Sequence, residues 1–252
     1  MFEGFYGREE GLVKILRFNA DMRTPMFYRT NDLLHAQRVR VLVQDMLPSI
    51  LDVLGSSFDD EKALLIAEVH DDPELITGDV LLYSKERMTE EQLEEVKREE
   101  KSAISELASR WPKYVGRFDY SELLHHSSNK DCLEAQVVSW ADKLDGYCES
   151  LHEVCAGNPR FLGPAESYVT RIAELLKKYP DLNVMVDKHT LFRLPQKINL
   201  RELVQPGKYH TEESVMTPTG LPHYDLWREL TIEYFGIENL VSLREPEILV
   251  CK

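Results

Sequence analysis

The chain has 252 residues, 43% of them apolar and 29% charged, with a formal net charge of −14. That length builds one large domain, or a domain with an extension, and buries a core without disulfide or metal staples. So acidic a balance argues against a nucleic-acid partner, because no cationic stripe is present to release counterions, yet it leaves room for a small anionic substrate.

The opening MFEGFYGREEGLVK is charged and holds no apolar run of signal-peptide length. No stretch approaches the ~20 apolar residues of a membrane span, so a cytoplasmic protein without membrane partners is expected. From Asp32 to Leu54 the apolar residues Val39, Leu42, Val43, Met46, Leu47, Ile50, Leu51 and Leu54 recur at helical spacing. Asp32 reads as the N-cap, Gly55 as the stop, and Pro48 as a bend or a split. Asp59 to Asp72 reads as a shorter helix stopped by Pro73. Thr89 with Gln92 forms a capping-box pattern before a charged surface helix running to Trp111.

Asp131 to Ala156 carries a broad apolar face, Leu133, Val137, Trp140, Ala141, Leu144, Tyr147, Cys148 and Leu151, ended by Gly157-Asn158-Pro159. Cys148 and Cys155 lie two turns apart on it, too far to bridge, and Cys132 and Cys251 fall in no Cys-x-x-Cys pair, so all four read as reduced thiols. Ala165 to Tyr179 is a further helix. Beyond Pro180 the period fades, although Leu226, Leu230 and Tyr234 mark a helix between Pro222 and Phe235. Strand signals are few and short. The expected fold is all-α, with residues 1–180 as a core and 181–252 as an extension packed on it.

One constellation carries chemistry. His70 and Asp71 are neighbours, roughly 100° apart on a helix, so both reach one ion only from a helix end or a tight bend. Pro73 supplies that end. His35 stands on an upstream helix. Asp142 interrupts the apolar run Val137-Val138-Ser139-Trp140-Ala141 on a downstream one, where a carboxylate needs a cation, either a metal or an arginine. Two imidazoles and two carboxylates suit one divalent ion among Mn, Fe, Co, Ni and Zn. Four protein ligands leave open positions for water and substrate, which hydrolysis requires.

The order His … His-Asp … Asp resembles the HD-domain phosphohydrolase superfamily, and within it the bacterial HD-domain 5′-deoxynucleotidases. Three segments carry the likeness: Arg29-Thr30-Asn31-Asp32-Leu33-Leu34-His35; His70-Asp71-Asp72-Pro73-Glu74-Leu75-Ile76-Thr77-Gly78-Asp79; and Ala141-Asp142-Lys143-Leu144-Asp145-Gly146-Tyr147. The resemblance covers roughly residues 12 to 165. The resemblance implies an HD-domain helical bundle with His35, His70, Asp71 and Asp142 as metal ligands. It implies Glu74 as the acid–base carboxylate and Thr77 and Asp79 as phosphate and sugar contacts. Arg17 matches a phosphate-holding arginine, with Arg23 as its competitor. Phe18 stands where that family has a tryptophan beside the sugar, which puts the preference for deoxyribose in question.

The implied activity is metal-dependent removal of the 5′-phosphate from (deoxy)nucleoside monophosphates. Two alternatives stay open: hydrolysis of nucleoside tri- or diphosphates at the same site, and a non-catalytic nucleotide sensor. The partner is a small nucleotide, and a homodimer is possible. His125-His126 either extends the site to a second metal or sits near a helix end. Arg38 and Arg40 either hold phosphate or form structural salt bridges. His189, His210 and His223 are read as outside the chemistry.

Overall fold

The computed structural model describes residues 2–18, 30–79, 88–155 and 157–183, with positions 26 and 85. The extension from 184 onward, with its expected helix between Pro222 and Phe235, lies outside the described residues, as do Arg23 and the three histidines of that tail.

The described chain is all-α apart from one small hairpin. In order it forms α1 (Arg8–Leu12), α2 (Asp32–Leu54), α3 (Asp60–Val69), α4 (Glu74–Thr77) and α5 (Glu90–Arg110). The hairpin β1 (Tyr114–Val115) and β2 (Phe118–Asp119) follows, paired antiparallel with Val115 opposite Phe118. Then come α6 (Tyr120–Asn129), α7 (Leu133–Cys155) and α8 (Leu162–Lys178). Among the described residues no single helix is long and apolar enough to cross a membrane.

Local chemistry sets these boundaries. Asp59 accepts from the Lys62 N–H at 3.1 Å and opens α3. Thr89 and Gln92 complete the expected capping box of α5. Asp119 accepts from Ser121 and Glu122 and opens α6. At the end of α7, the N–H groups of Gly157 and Asn158 reach the carbonyls of Val154 and Glu153. That closure needs the left-handed φ of 93° at Gly157. One expectation is narrowed and one corrected. Of the bend or split expected at Pro48, the split is absent: Pro48 lies inside the single helix Asp32–Leu54. The cap of α2 is Asn31 rather than Asp32: its side-chain oxygen accepts from the Leu34 N–H at 2.9 Å.

The chain packs as two units. The first takes Met1–Arg40 and Asp59–Ser139, and the second takes Val41–Phe58 and the chain from Trp140, so α2 and α7 each belong to both. In the first, Phe5 meets Tyr120 and Trp111 with ring centroids 5.0 and 5.5 Å apart, over the buried faces of α3, α5 and α6. Beneath them Arg8 and Asp72 form a buried ion pair. Arg8 Nε lies 2.8 and 2.9 Å from the two carboxylate oxygens, and the Tyr120 hydroxyl donates to the same carboxylate at 2.7 Å. The second unit has Trp140, Leu144, Tyr147, Leu151 and Phe161 fully buried. There α7 and α8 meet so closely at Gly146 that a Cβ would lie 2.3 Å from the Tyr168 ring. Cys148 is a buried free thiol, as expected, and Cys132 is also free.

Candidate metal centre and phosphate site

Two short backbone devices assemble the site in the first unit. Residues 15–17 run antiparallel to 30–32: Arg17 N–H donates to the Thr30 carbonyl, and Asp32 N–H to the Ile15 carbonyl, both at 3.1 Å. This sets Arg17 beside the first turn of α2, where Asp32 and His35 stand. The second device is the end of α3. The helix stops at Val69, three residues before the expected end, and His70 is its C-cap. A chain of turns follows, with Asp72 N–H on the Val69 carbonyl and Glu74 N–H on the Asp71 carbonyl, each 2.9 Å. The reversal lets His70 and Asp71 face the same point, as neighbours on a continuing helix cannot.

His35 Nε2 and His70 Nε2 are 3.3 Å apart. His35 Nε2 lies 3.4 Å from Asp71 Oδ2, and His70 Nε2 lies 3.3 Å from Asp71 Oδ1. Donors about 2.1 Å from one ion lie roughly 3.0 to 3.4 Å from each other in adjacent coordination positions, so these atoms are spaced for a shared metal. His70 Nδ1 sits 2.8 Å from the Ala67 carbonyl. That carbonyl requires a proton on Nδ1 and leaves the Nε2 lone pair for the ion. The donor set fits a borderline divalent metal.

Carboxyl groups crowd the same place. Asp32, Asp71 and Glu74 each bring an oxygen within 4.8 Å of the others. Among the described residues neither oxygen of Asp32 meets an N–H, alcohol or phenol donor, nor do Asp71 Oδ2 and Glu74 Oε2. Burial, with Asp71 nearby, raises the Asp32 carboxyl to about 7. Burial and the charges of Asp71, Asp79 and Asp32 push Glu74 well above the usual carboxylate range, against the pull of Arg17. Arg17 is itself buried, with Nη1 3.7 Å from Asp71 Oδ2.

Phe18 adopts a left-handed backbone, φ 56°, rare for a residue with a side chain. Its N–H donates to Asp79 Oδ2 at 3.1 Å, and the Arg17 guanidinium lies 5.7 Å from its ring centroid. The strained residue thus ties the Arg17 segment to Asp79, at the far end of the motif that starts with His70. Gly78, at φ 74°, makes the turn that follows α4. Thr77 points its hydroxyl at the carbonyls of Pro73 and Gly78, so its observed partners are backbone.

Asp142 stands on α7, half-buried, in an ion pair with its neighbour Lys143. His126 caps a different feature: its Nδ1 is 2.5 Å from Asp131 Oδ1, near the end of α6, the second of the two readings given for His125-His126. Arg40 pairs with Glu68 at 3.2 Å, a structural salt bridge. Sequence reasoning missed Asp32 as a site residue. Its position at the first residue of a helix resembles a cap, and the antiparallel contact with residues 15–17 covers it.

The profile of the 5′-deoxynucleotidase YfbR-like family matches residues 12–190. The 5′-deoxynucleotidase VP0926 of Vibrio parahaemolyticus is 33% identical over 107 residues, 42% of this chain and 54% of that protein. The match thus spans about half the length of that relative. An HD-domain phosphohydrolase from Listeria innocua superposes with a TM-score of 0.60 at 21% identity, over 79% of this chain and 90% of its own. The PH0347 protein from Pyrococcus horikoshii gives 0.57 at 20%, over 81% and 98%. These likenesses establish an HD-domain helical fold. With most of the described chain inside the family profile, the protein belongs to the 5′-deoxynucleotidase YfbR-like family.

Proposed function

We propose that this protein is a metal-dependent phosphohydrolase that removes the 5′-phosphate from (deoxy)nucleoside monophosphates in the cytoplasm. The observation that carries the reading is the facing of His35 Nε2, His70 Nε2 and Asp71 at 3.3 to 3.4 Å, with Glu74 and Arg17 beside them. The family and the relative named a 5′-deoxynucleotidase support it.

His35, His70 and Asp71 hold the metal, and Asp142 is assigned as the fourth ligand from the sequence motif. A divalent ion there supplies a Lewis acid that activates water and offsets phosphate charge. Arg17 pairs with the phosphate oxygens through its guanidinium. Glu74, buried among carboxyl groups, transfers the proton between the attacking water and the leaving 5′ oxygen. Asp79, oriented by the Phe18 N–H, accepts from a sugar hydroxyl, and Thr77 shapes the turn that presents it. Phe18 is smaller than the tryptophan that the family resemblance puts beside the sugar, and the reading therefore covers ribo- as well as deoxyribonucleotides.

The test is phosphate release from deoxy- and ribonucleoside 5′-monophosphates, and from triphosphates, by protein supplied with Mn or Co. Monophosphates are expected to be cleaved. Glu74→Gln should bind Co²⁺ at the histidine site as wild type does and lose at least 100-fold in kcat, the scale of lost acid–base catalysis. Release of intact triphosphate with monophosphates untouched would replace the reading with a triphosphohydrolase. Inactivity on all of them would make the protein a sensor.

A further inference from the structure

We propose that Asp32, Asp71 and Glu74 form a second cation site, selective for a hard divalent ion of the Mg²⁺ or Mn²⁺ kind. Asp71 is shared with the ion held by the histidines. The inference rests on the reading above in one respect, the assignment of Asp71 to the first metal.

Three observations carry it. The three carboxyl groups each place an oxygen within 4.8 Å of the others, close enough for one ion. Asp32 is 0% exposed, and among the described residues its oxygens meet no N–H, alcohol or phenol donor, only the carboxyl of Glu74 within the same cluster. Asp71 Oδ2 and Glu74 Oε2 are buried and equally without donors. A buried carboxylate without a donor costs several kcal/mol, so a cluster of such oxygens calls for positive charge. Arg17 is the cation that faces these groups, and in the reading above it is committed to phosphate.

The charges point the same way. When all four are ionised, Asp32, Asp71, Glu74 and Asp79 together outweigh Arg17 and a single divalent ion by one negative charge. A second divalent ion reverses that sign and prepares the site for a phosphate dianion. The donor types differ as well: the first site offers imidazole nitrogens and suits a borderline metal, whereas the second is all oxygen and suits a hard one.

The experiment counts ions. Metal-stripped protein is loaded with one equivalent of Co²⁺, monitored by its visible absorption, and then titrated with Mn²⁺, with bound Mn²⁺ read by electron paramagnetic resonance. Wild type is expected to take up one further equivalent. Asp32→Asn should keep the Co²⁺ spectrum and bind Mn²⁺ at least tenfold more weakly. No second equivalent in the wild type at millimolar Mn²⁺ overturns the proposal, a result that needs no variant to fold. Equally tight Mn²⁺ binding by Asp32→Asn overturns it as well. If the first equivalent of Co²⁺ fails to bind, the phosphohydrolase reading falls and takes this one with it.

Discussion

Asp32 opens α2 yet is wholly buried, and its carboxyl is raised to about 7 by burial and by the nearby Asp71. A carboxyl raised on folding favours the protonated native state. Its contribution is complete below the ordinary carboxylate range and disappears as pH climbs to about 7. In metal-free protein, Asp32→Asn is therefore expected to gain stability relative to wild type between pH 5 and pH 8. The difference should grow by a few kcal/mol in urea unfolding. A constant difference across that range would show that Asp32 is ionised in both states. Saturating metal is expected to abolish the trend, because the ligated carboxylates are held ionised.

Residues of this kind mark the limit of what the sequence discloses. The His70–Asp79 segment announces itself, because proposed metal ligands, proline stop and glycine turn are contiguous. His35 is found through the order His … His-Asp … Asp. Asp32 stays hidden, since an acidic residue at a helix start has an adequate local explanation in capping. The left-handed Phe18 stays hidden too, because no composition rule calls for it, and only the bond to Asp79 gives it a purpose.

At the level of elements, the turn after α3 is the decisive piece, and it is held from behind. Arg8 on α1 and Tyr120 on α6 clamp Asp72, next in the chain to the proposed ligand Asp71. Arg8 is 1% exposed, and so is Asp72. Replacing Arg8 by Met strands a buried carboxylate, for which a loss of about 3 to 5 kcal/mol is expected. Chemical denaturation checks the figure, and a loss below ~1 kcal/mol would show that Asp72 is carried neutral. Because the clamp lies behind the metal ligands, the same variant should bind metal more weakly. Long helices with clear caps, α2, α5 and α7, were legible from spacing alone. The five-residue α1 was not, because it is shorter than two turns and owes its form to Arg8 and to the contact with α4.

For the molecule as a whole, the −14 charge finds its counterpart at the site, where carboxyl groups outnumber cations. The all-α reading holds across the described residues, and the helical pattern of apolar residues was sufficient for it. A protein that gathers so many carboxyl groups beside two imidazoles is expected to gain stability from its ion. At a metal concentration 100-fold above Kd the gain is about 2.7 kcal/mol, visible as a rise in Tm on adding Mn or Co to stripped protein. A Tm unaffected by metal would show that the folded chain does not bind it.

The central claim is that His35, His70 and Asp71 share one ion. Anomalous diffraction at the cobalt edge from crystals of Co²⁺-loaded protein tests it directly. The account predicts a peak about 2.1 Å from both Nε2 atoms and within bonding distance of the Asp71 carboxylate. Crystals of catalytically active protein with no peak there, or with the peak elsewhere, would contradict it.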